Sequence, residues 1–118
     1  MDFLIVLVIV GIFFAWRLMP TKGIRQISTA ELKKEVQDQS KQFIDVRTPS
    51  EYKINHIRAF KNMPLHTLAN QAKQKLQKDK EVIVICQSGM RSMKASKILK
   101  KQGFKKVTNV RGGMSAWY

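Results

Sequence analysis

Val82–Gly103 reads VIVICQSGMRSMKASKILKKQG. Its opening residues are apolar and β-branched without alternation, the pattern of a strand buried on both faces of a parallel sheet. The run stops at Cys86, the only cysteine in the chain. From Arg91 to Gln102 the spacing of Ala95, Ile98 and Leu99 predicts a helix, with Gly103 as its stop. In an open parallel sheet, ligands bind beyond the C-terminal ends of the strands, which is where Cys86 falls. The residues after it lead into a helix N-terminus, whose N–H groups have no intrahelical partner and can hold an anion.

A sulfur held there ionises more easily than a free thiol. Gly89 permits backbone angles that a β-carbon forbids, and Arg91 adds a fixed positive charge. Cys86 is therefore the candidate nucleophile and Arg91 its catalytic charge. Gln87, Ser88, Gly89, Met90 and Ser92 form the candidate substrate-binding loop, with Met90 as an apolar wall. A cysteine ending a buried strand often serves only as a small hydrophobe, but that role does not require a glycine-containing arginine loop.

Strand and helix alternate on both sides of this segment, so the class is α/β. Ser28 precedes Glu31 by three residues, as in a capping box, and opens a short helix with Leu32 and Val36 on one face. Gln42–Arg47 reads as a strand, followed by a helix start with Pro49 in its first turn. Ala59–Met63 reads as a short strand before Pro64. Leu65, Leu68, Ala69, Ala72 and Leu76 make one apolar helical stripe. Lys105–Val110 is the last strand, and GGMSAWY closes with a tight turn.

The chain opens MDFLIVLVIVGIFFAWRLMP, with nothing charged from Phe3 to Trp16. Counting from Met1 to Met19, a helix would reach about 28 Å at about 1.5 Å per residue, close to a hydrocarbon core of roughly 30 Å. Trp16 suits the headgroup belt and Arg17 can snorkel. The expectation is one uncleaved transmembrane anchor over residues 1–20, because a signal peptide would begin with basic residues. Arg17, Lys22 and Arg25 on its C-terminal side place the rest in the cytoplasm and the N-terminus outside. The lipid bilayer is then a partner through residues 1–20, and residues 21–27 form a basic connector.

The net charge of +14, from 22 Lys and Arg against 8 Asp and Glu, would face an anionic leaflet. That account removes the need for nucleic acid, and none is expected. One cysteine cannot form an internal disulfide, and with two histidines it is poor material for a metal site. No metal or cofactor is expected.

CQSGMR resembles the active-site loop of the rhodanese family, Cys-x-x-Gly-x-Arg in many single-domain members. FIDVRTPSEYKINHIRAFKNMP resembles the family's other signature through Asp45, Val46, Arg47, Glu51, Tyr52, His56, Ile57, Ala59, Asn62 and Pro64. VRGGMSAW resembles its closing segment through Gly112, Gly113, Ala116 and Trp117. The likeness runs from about Ile27 to Tyr118, so the rhodanese-like domain is set at residues 28–118.

The resemblance implies a central parallel five-stranded sheet flanked by helices. It implies a sulfurtransferase of the thiosulfate:cyanide type, moving sulfane sulfur through a Cys86 persulfide to a thiol, protein or cyanide acceptor. Asp45, Arg47 and Glu51 read as a supporting ion-pair and capping network, and His56 as a hydrogen-bonded structural residue. Asn55 stands where the family usually has glycine, and asparagine tolerates a left-handed turn. A cysteine phosphatase would need arginine at position 92, where this chain has Ser92. The rival from another class is a noncatalytic rhodanese-like docking module or a membrane-tethered persulfide carrier.

Overall fold

The computed structural model describes residues 2–18 and 23–117. Five strands form one all-parallel sheet: β1 (Ile24–Ile27), β2 (Gln42–Asp45), β3 (Lys61–Asn62), β4 (Val82–Ile85) and β5 (Val107–Val110). Their spatial order is β1-β5-β4-β2-β3. The helices are α1 (Phe3–Leu18), α2 (Thr29–Glu35), α3 (Pro49–Ile54), α4 (Leu68–Lys75) and α5 (Met90–Lys101). The expected parallel five-stranded α/β sheet flanked by helices is thus present.

Strand β4 lies at the centre, and Val82, Ile83, Val84 and Ile85 are all buried. Their side chains point alternately to the two faces. Val82 and Val84 join Leu68, Ala72, Ala95, Leu99 and Phe104, so α4 and α5 cover that face. Ile83 and Ile85 join Ile27, Leu32, Phe43, Ile57 and Phe60 on the other. Capping boxes open two helices: Ser28 with Glu31 at α2, and Thr48 with Glu51 at α3, where Pro49 occupies the first turn.

The membrane anchor is corrected. Helix α1 has 16 residues, about 24 Å at about 1.5 Å per residue, and no helix among the described residues is long and apolar enough to cross a membrane. The sequence reading counted Met1 through Met19 as one helix, whereas Met1, Met19 and Pro20 lie outside the described residues. The transmembrane segment over 1–20, the lipid-bilayer partner and the single-pass membrane localisation with its outside N-terminus go with it. The basic surplus thereby loses its anionic-leaflet account. Between Leu65 and Lys106, the stretch containing α4 and α5, eleven Lys and Arg face only Asp79 and Glu81.

Two smaller corrections concern the domain itself. Ile24–Ile27 was read as connector, but it pairs in parallel with β5, with Gln26 opposite Asn109. Asn55 does not adopt a left-handed turn; its φ is −160°, extended backbone, as the C-cap of α3.

Candidate active site

Cys86 follows directly on β4, and the loop Gln87–Gly89 turns the chain into α5. Gly89 is the N-cap of α5 with φ +102°, a value that β-carbon-bearing residues rarely adopt. The Gly89 N–H donates to Cys86 Sγ at 3.0 Å. On its other side Sγ–H donates to the Ser92 hydroxyl at 3.3 Å, and Ser92 donates to Asn109 Oδ1. The sulfur is buried. Burial disfavours its ionisation, but the hydrogen bond that the Ser92 hydroxyl gives a thiolate once it turns from Asn109 to the sulfur, together with the backbone N–H groups of Ser92, Gly89 and Ser88, outweighs that cost. The thiol is held below its ordinary value.

The loop is fixed from below by the C-terminal segment. Cys86 O accepts from Met114 N at 2.8 Å, and Gln87 O from Ser115 N at 2.9 Å. Gln87 Nε2 also donates to Ser115 Oγ at 3.1 Å. Gly113 makes this approach possible, because a β-carbon built there would fall 2.3 Å from Cys86 O.

A buried ion pair supports the loop from β2. Arg47 grips Asp45 through Nε and Nη2, at 2.8 Å for the closest contact, with both side chains almost wholly buried. Arg47 also donates to Asn55 O at 2.7 Å and reaches Gln87 Oε1 at 3.4 Å. Asn62 donates to Asp45 O and Arg47 O, pinning the end of β2. A buried charge pair satisfied on so many sides holds geometry more than it adds stability.

Arg91 is committed elsewhere than expected from the sequence. Its guanidinium pairs in two parallel bonds with Glu51, at 2.7 and 2.9 Å, the fork geometry that favours arginine over lysine. That bond, followed by the N–H and hydroxyl of Thr48, holds the Glu51 carboxyl at about 2. The pair ties the start of α5 to the start of α3. A negative sulfur at Cys86 still favours the arginine's charge, after the larger contribution of Glu51.

Of the other candidates, Ser88 lies exposed on the loop and contributes its N–H to the sulfur. Met90, the first residue of α5, is 79% exposed. His56 is exposed, with Nδ1 at 2.8 Å from Tyr52 O and its ring stacked on Tyr52 at 3.8 Å. It touches none of the loop. Glu51 caps α3 and does not meet the Arg47 guanidinium through its carboxylate.

Sequence reasoning missed Asn109 and Gln26, which stand behind Ser92; Asn109 Nδ2 donates to Gln26 Oε1 at 3.0 Å. Two polar residues, Thr108 and Asn109, between the valines of the buried strand VTNV were the available signal. Among the described residues no group of three His, Cys, Asp or Glu could hold a metal ion. A large cleft of about 980 Å³ between the segment after α2, residues 36–41, and residues 56–59 contains no residue of the Cys86 loop. The sulfur and its hydrogen-bond donors converge in the small loop instead.

The fold and the site together are a parallel α/β sheet with a thiol at the end of its central strand, beside the N-terminal amides of a helix. The chain matches the rhodanese-like domain family over residues 28–118 and belongs to that family. It is 43% identical over 95 residues to YtwF of Bacillus subtilis, provisionally named a sulfurtransferase, covering 80% of this chain and 90% of that protein. It is 41% identical over 96 residues to YrkF of the same organism, provisionally named a sulfur carrier protein. That match covers 80% of this chain but spans only about half (51%) of the relative's length. The crystal structure of a rhodanese-like domain protein from Staphylococcus aureus superposes with TM-score 0.73 at 32% identity, covering 80% of this chain and 91% of that one.

Proposed function

We propose that the protein is a sulfurtransferase that carries sulfane sulfur as a persulfide on Cys86. The observation that carries this reading is the sulfur itself, held by the Gly89 N–H at 3.0 Å at the N-terminus of α5 and kept below the ordinary thiol range. Membership of a family that includes sulfurtransferases supports it.

In the first half-reaction the Cys86 thiolate attacks the outer sulfur of a donor such as thiosulfate. The S–S bond of the donor breaks, sulfite leaves with the electron pair, and Cys86 becomes a persulfide. In the second half-reaction a thiolate or cyanide attacks the outer sulfur, and the Cys86 thiolate leaves. No base is required at the moment of attack, because the thiolate is the reactive form. The loop N–H groups that hold the thiolate also face the charge that moves between the two sulfurs. Arg91 orders the loop through Glu51 and adds a second, longer-range positive charge.

Mass spectrometry after thiosulfate treatment tests this. The expected result is a gain of one sulfur atom, reversed by cyanide and lost in Cys86→Ser. A protein that folds, keeps an alkylatable Cys86 and gains no sulfur would overturn the assignment in favour of a docking module.

A further inference from the structure

Three polar side chains behind the sulfur belong to different elements: Ser92 on α5, Asn109 on β5 and Gln26 on β1. Ser92 and Asn109 are buried. The thiol donates to Ser92 Oγ at 3.3 Å, and the Ser92 hydroxyl donates to Asn109 Oδ1. Asn109 Nδ2 donates to Gln26 Oε1 at 3.0 Å, and Gln26 Nε2 ends on Met93 Sδ at 3.8 Å. A thioether accepts but does not donate, so Met93 favours the Gln26 amide with its nitrogen on the thioether sulfur and its oxygen toward Asn109.

The direction of this chain matters because a hydroxyl has one proton. While Ser92 gives its proton to Asn109, it shows the sulfur only lone pairs. That suits S–H and opposes a thiolate. For a thiolate the hydroxyl must turn to the sulfur, and Asn109 Oδ1 is then left buried without a donor, which is costly. Turning the Asn109 amide restores the chain: Nδ2 donates to Ser92, and Oδ1 accepts from Gln26 Nε2, which leaves Met93. The cluster thus has two complete settings, one for each charge state of the sulfur.

We propose that Asn109 and Gln26 are positioning residues that set the charge state of Cys86 by fixing which way the Ser92 hydroxyl points. The proposal rests on the reading of Cys86 as a nucleophile. The relay moves no proton; on ionisation the S–H bond breaks, the proton passes to water, and the side chains only reorient. The turned setting also serves the persulfide, whose inner sulfur carries no hydrogen. The charged groups around the loop are Arg91 on α5, Glu51 paired with it from α3, and the Asp45–Arg47 pair at the end of β2. None of them contacts Ser92, Asn109 or Gln26 through a hydrogen bond among the described residues.

The test is the pH dependence of Cys86 alkylation by iodoacetamide on the intact chain. Ser92→Ala should raise the thiol pKa. Gln26→Leu does not touch the sulfur; it removes the Oε1 that holds Asn109 Nδ2, and at the half-buried sheet edge water, which donates as readily as it accepts, meets the Asn109 amide instead and lets it turn toward Ser92. It should lower the pKa and speed alkylation at least about threefold at pH below both values, since half a pKa unit is roughly that factor. Asn109→Asp can only accept, so it fixes the hydroxyl away from the sulfur and should raise the pKa. Its charge also acts through space, so the same change is made in a Ser92→Ala background, where the shift must shrink. An unchanged profile for Gln26→Leu overturns the proposal, as does an Asn109→Asp shift of equal size with and without the hydroxyl. Should Asn109→Asp fail to fold, Gln26→Leu at the half-buried sheet edge decides alone. No sulfur donor enters the assay, so failure of the relay appears in alkylation, and failure of the sulfurtransferase reading appears only in sulfur loading.

Discussion

Gly113→Ala offers a perturbation whose size can be worked from the coordinates. Gly113 has φ +55°, and its added β-carbon would lie 2.3 Å from Cys86 O and 2.8 Å from both Gln87 C and Gln87 O. All three are backbone atoms, so no side chain can swing aside. Carbon and oxygen need roughly 3.3 Å or more even in their closest weak hydrogen bonds, so the two segments must part by about 1 Å. That separation strains the Met114 N to Cys86 O and Ser115 N to Gln87 O bonds, each of net worth about 1 kcal/mol. The left-handed backbone adds about 1–2 kcal/mol. The expected loss is about 3–4 kcal/mol in urea unfolding.

Gly103→Ala is the control. Its φ is +98°, and the nearest atom to a new β-carbon is Lys78 Nζ at 3.9 Å, so it meets the backbone cost of about 1–2 kcal/mol alone. The alkylation pKa of Cys86 should rise in Gly113→Ala, as the displaced loop withdraws N–H groups from the sulfur, and stay unchanged in Gly103→Ala. Equal destabilisation of the two variants, with the same thiol pKa in both, would refute the close-approach argument.

Arg91→Ala should cost at most about 1 kcal/mol of stability, because the Glu51 pair is one-third exposed. It should slow sulfur loading from anionic and neutral donors by similar factors, read as kcat/KM for each. Glu51→Gln keeps a cap oxygen but loses the fork, and should reproduce much of the Arg91→Ala defect in the same assay. Acid should loosen the α3–α5 tie: the folded Glu51 carboxyl sits at about 2, below its unfolded value near 4.5, so its contribution is present above about pH 4.5 and lost as pH falls toward 2. Glu35, held at about 2 first by Arg25 and then by Lys41, loses its contribution over the same window, and urea unfolding midpoints of Glu51→Gln and Glu35→Gln should each vary less with pH between about 4.5 and 2 than those of wild type.

The central unit was legible because its signals are local. VIVI is apolar at every position, as a strand covered on both faces must be, and the loop after it carries its thiol, glycine and helix start in six consecutive residues. The Ser28–Glu31 box was legible for the same reason. Strand β1 was not, because IRQI is short, carries Arg25, and is buried only at its two ends; its identity comes from pairing with a strand some eighty residues later. The partner of Arg91 was hidden likewise, since Glu51 is forty residues away. Asn109 and Gln26 meet only through the register of β1 on β5. The N-terminal run misled because apolar composition was taken as helix length, and α1 has only 16 residues.

Part of the support beneath Cys86 comes from residues that follow it. Met114 and Ser115 hold the loop carbonyls, Asn109 holds Ser92, and β5 separates β4 from β1. During synthesis the thiol therefore leaves the ribosome before part of its bracing. Until residues 107–115 have been made and docked, the loop carbonyls of Cys86 and Gln87 and the Ser92 hydroxyl lack the partners that hold them. The setting of the thiol is thus finished only when the last strand and the closing turn have docked, so the loop's geometry is a report that the fold is complete.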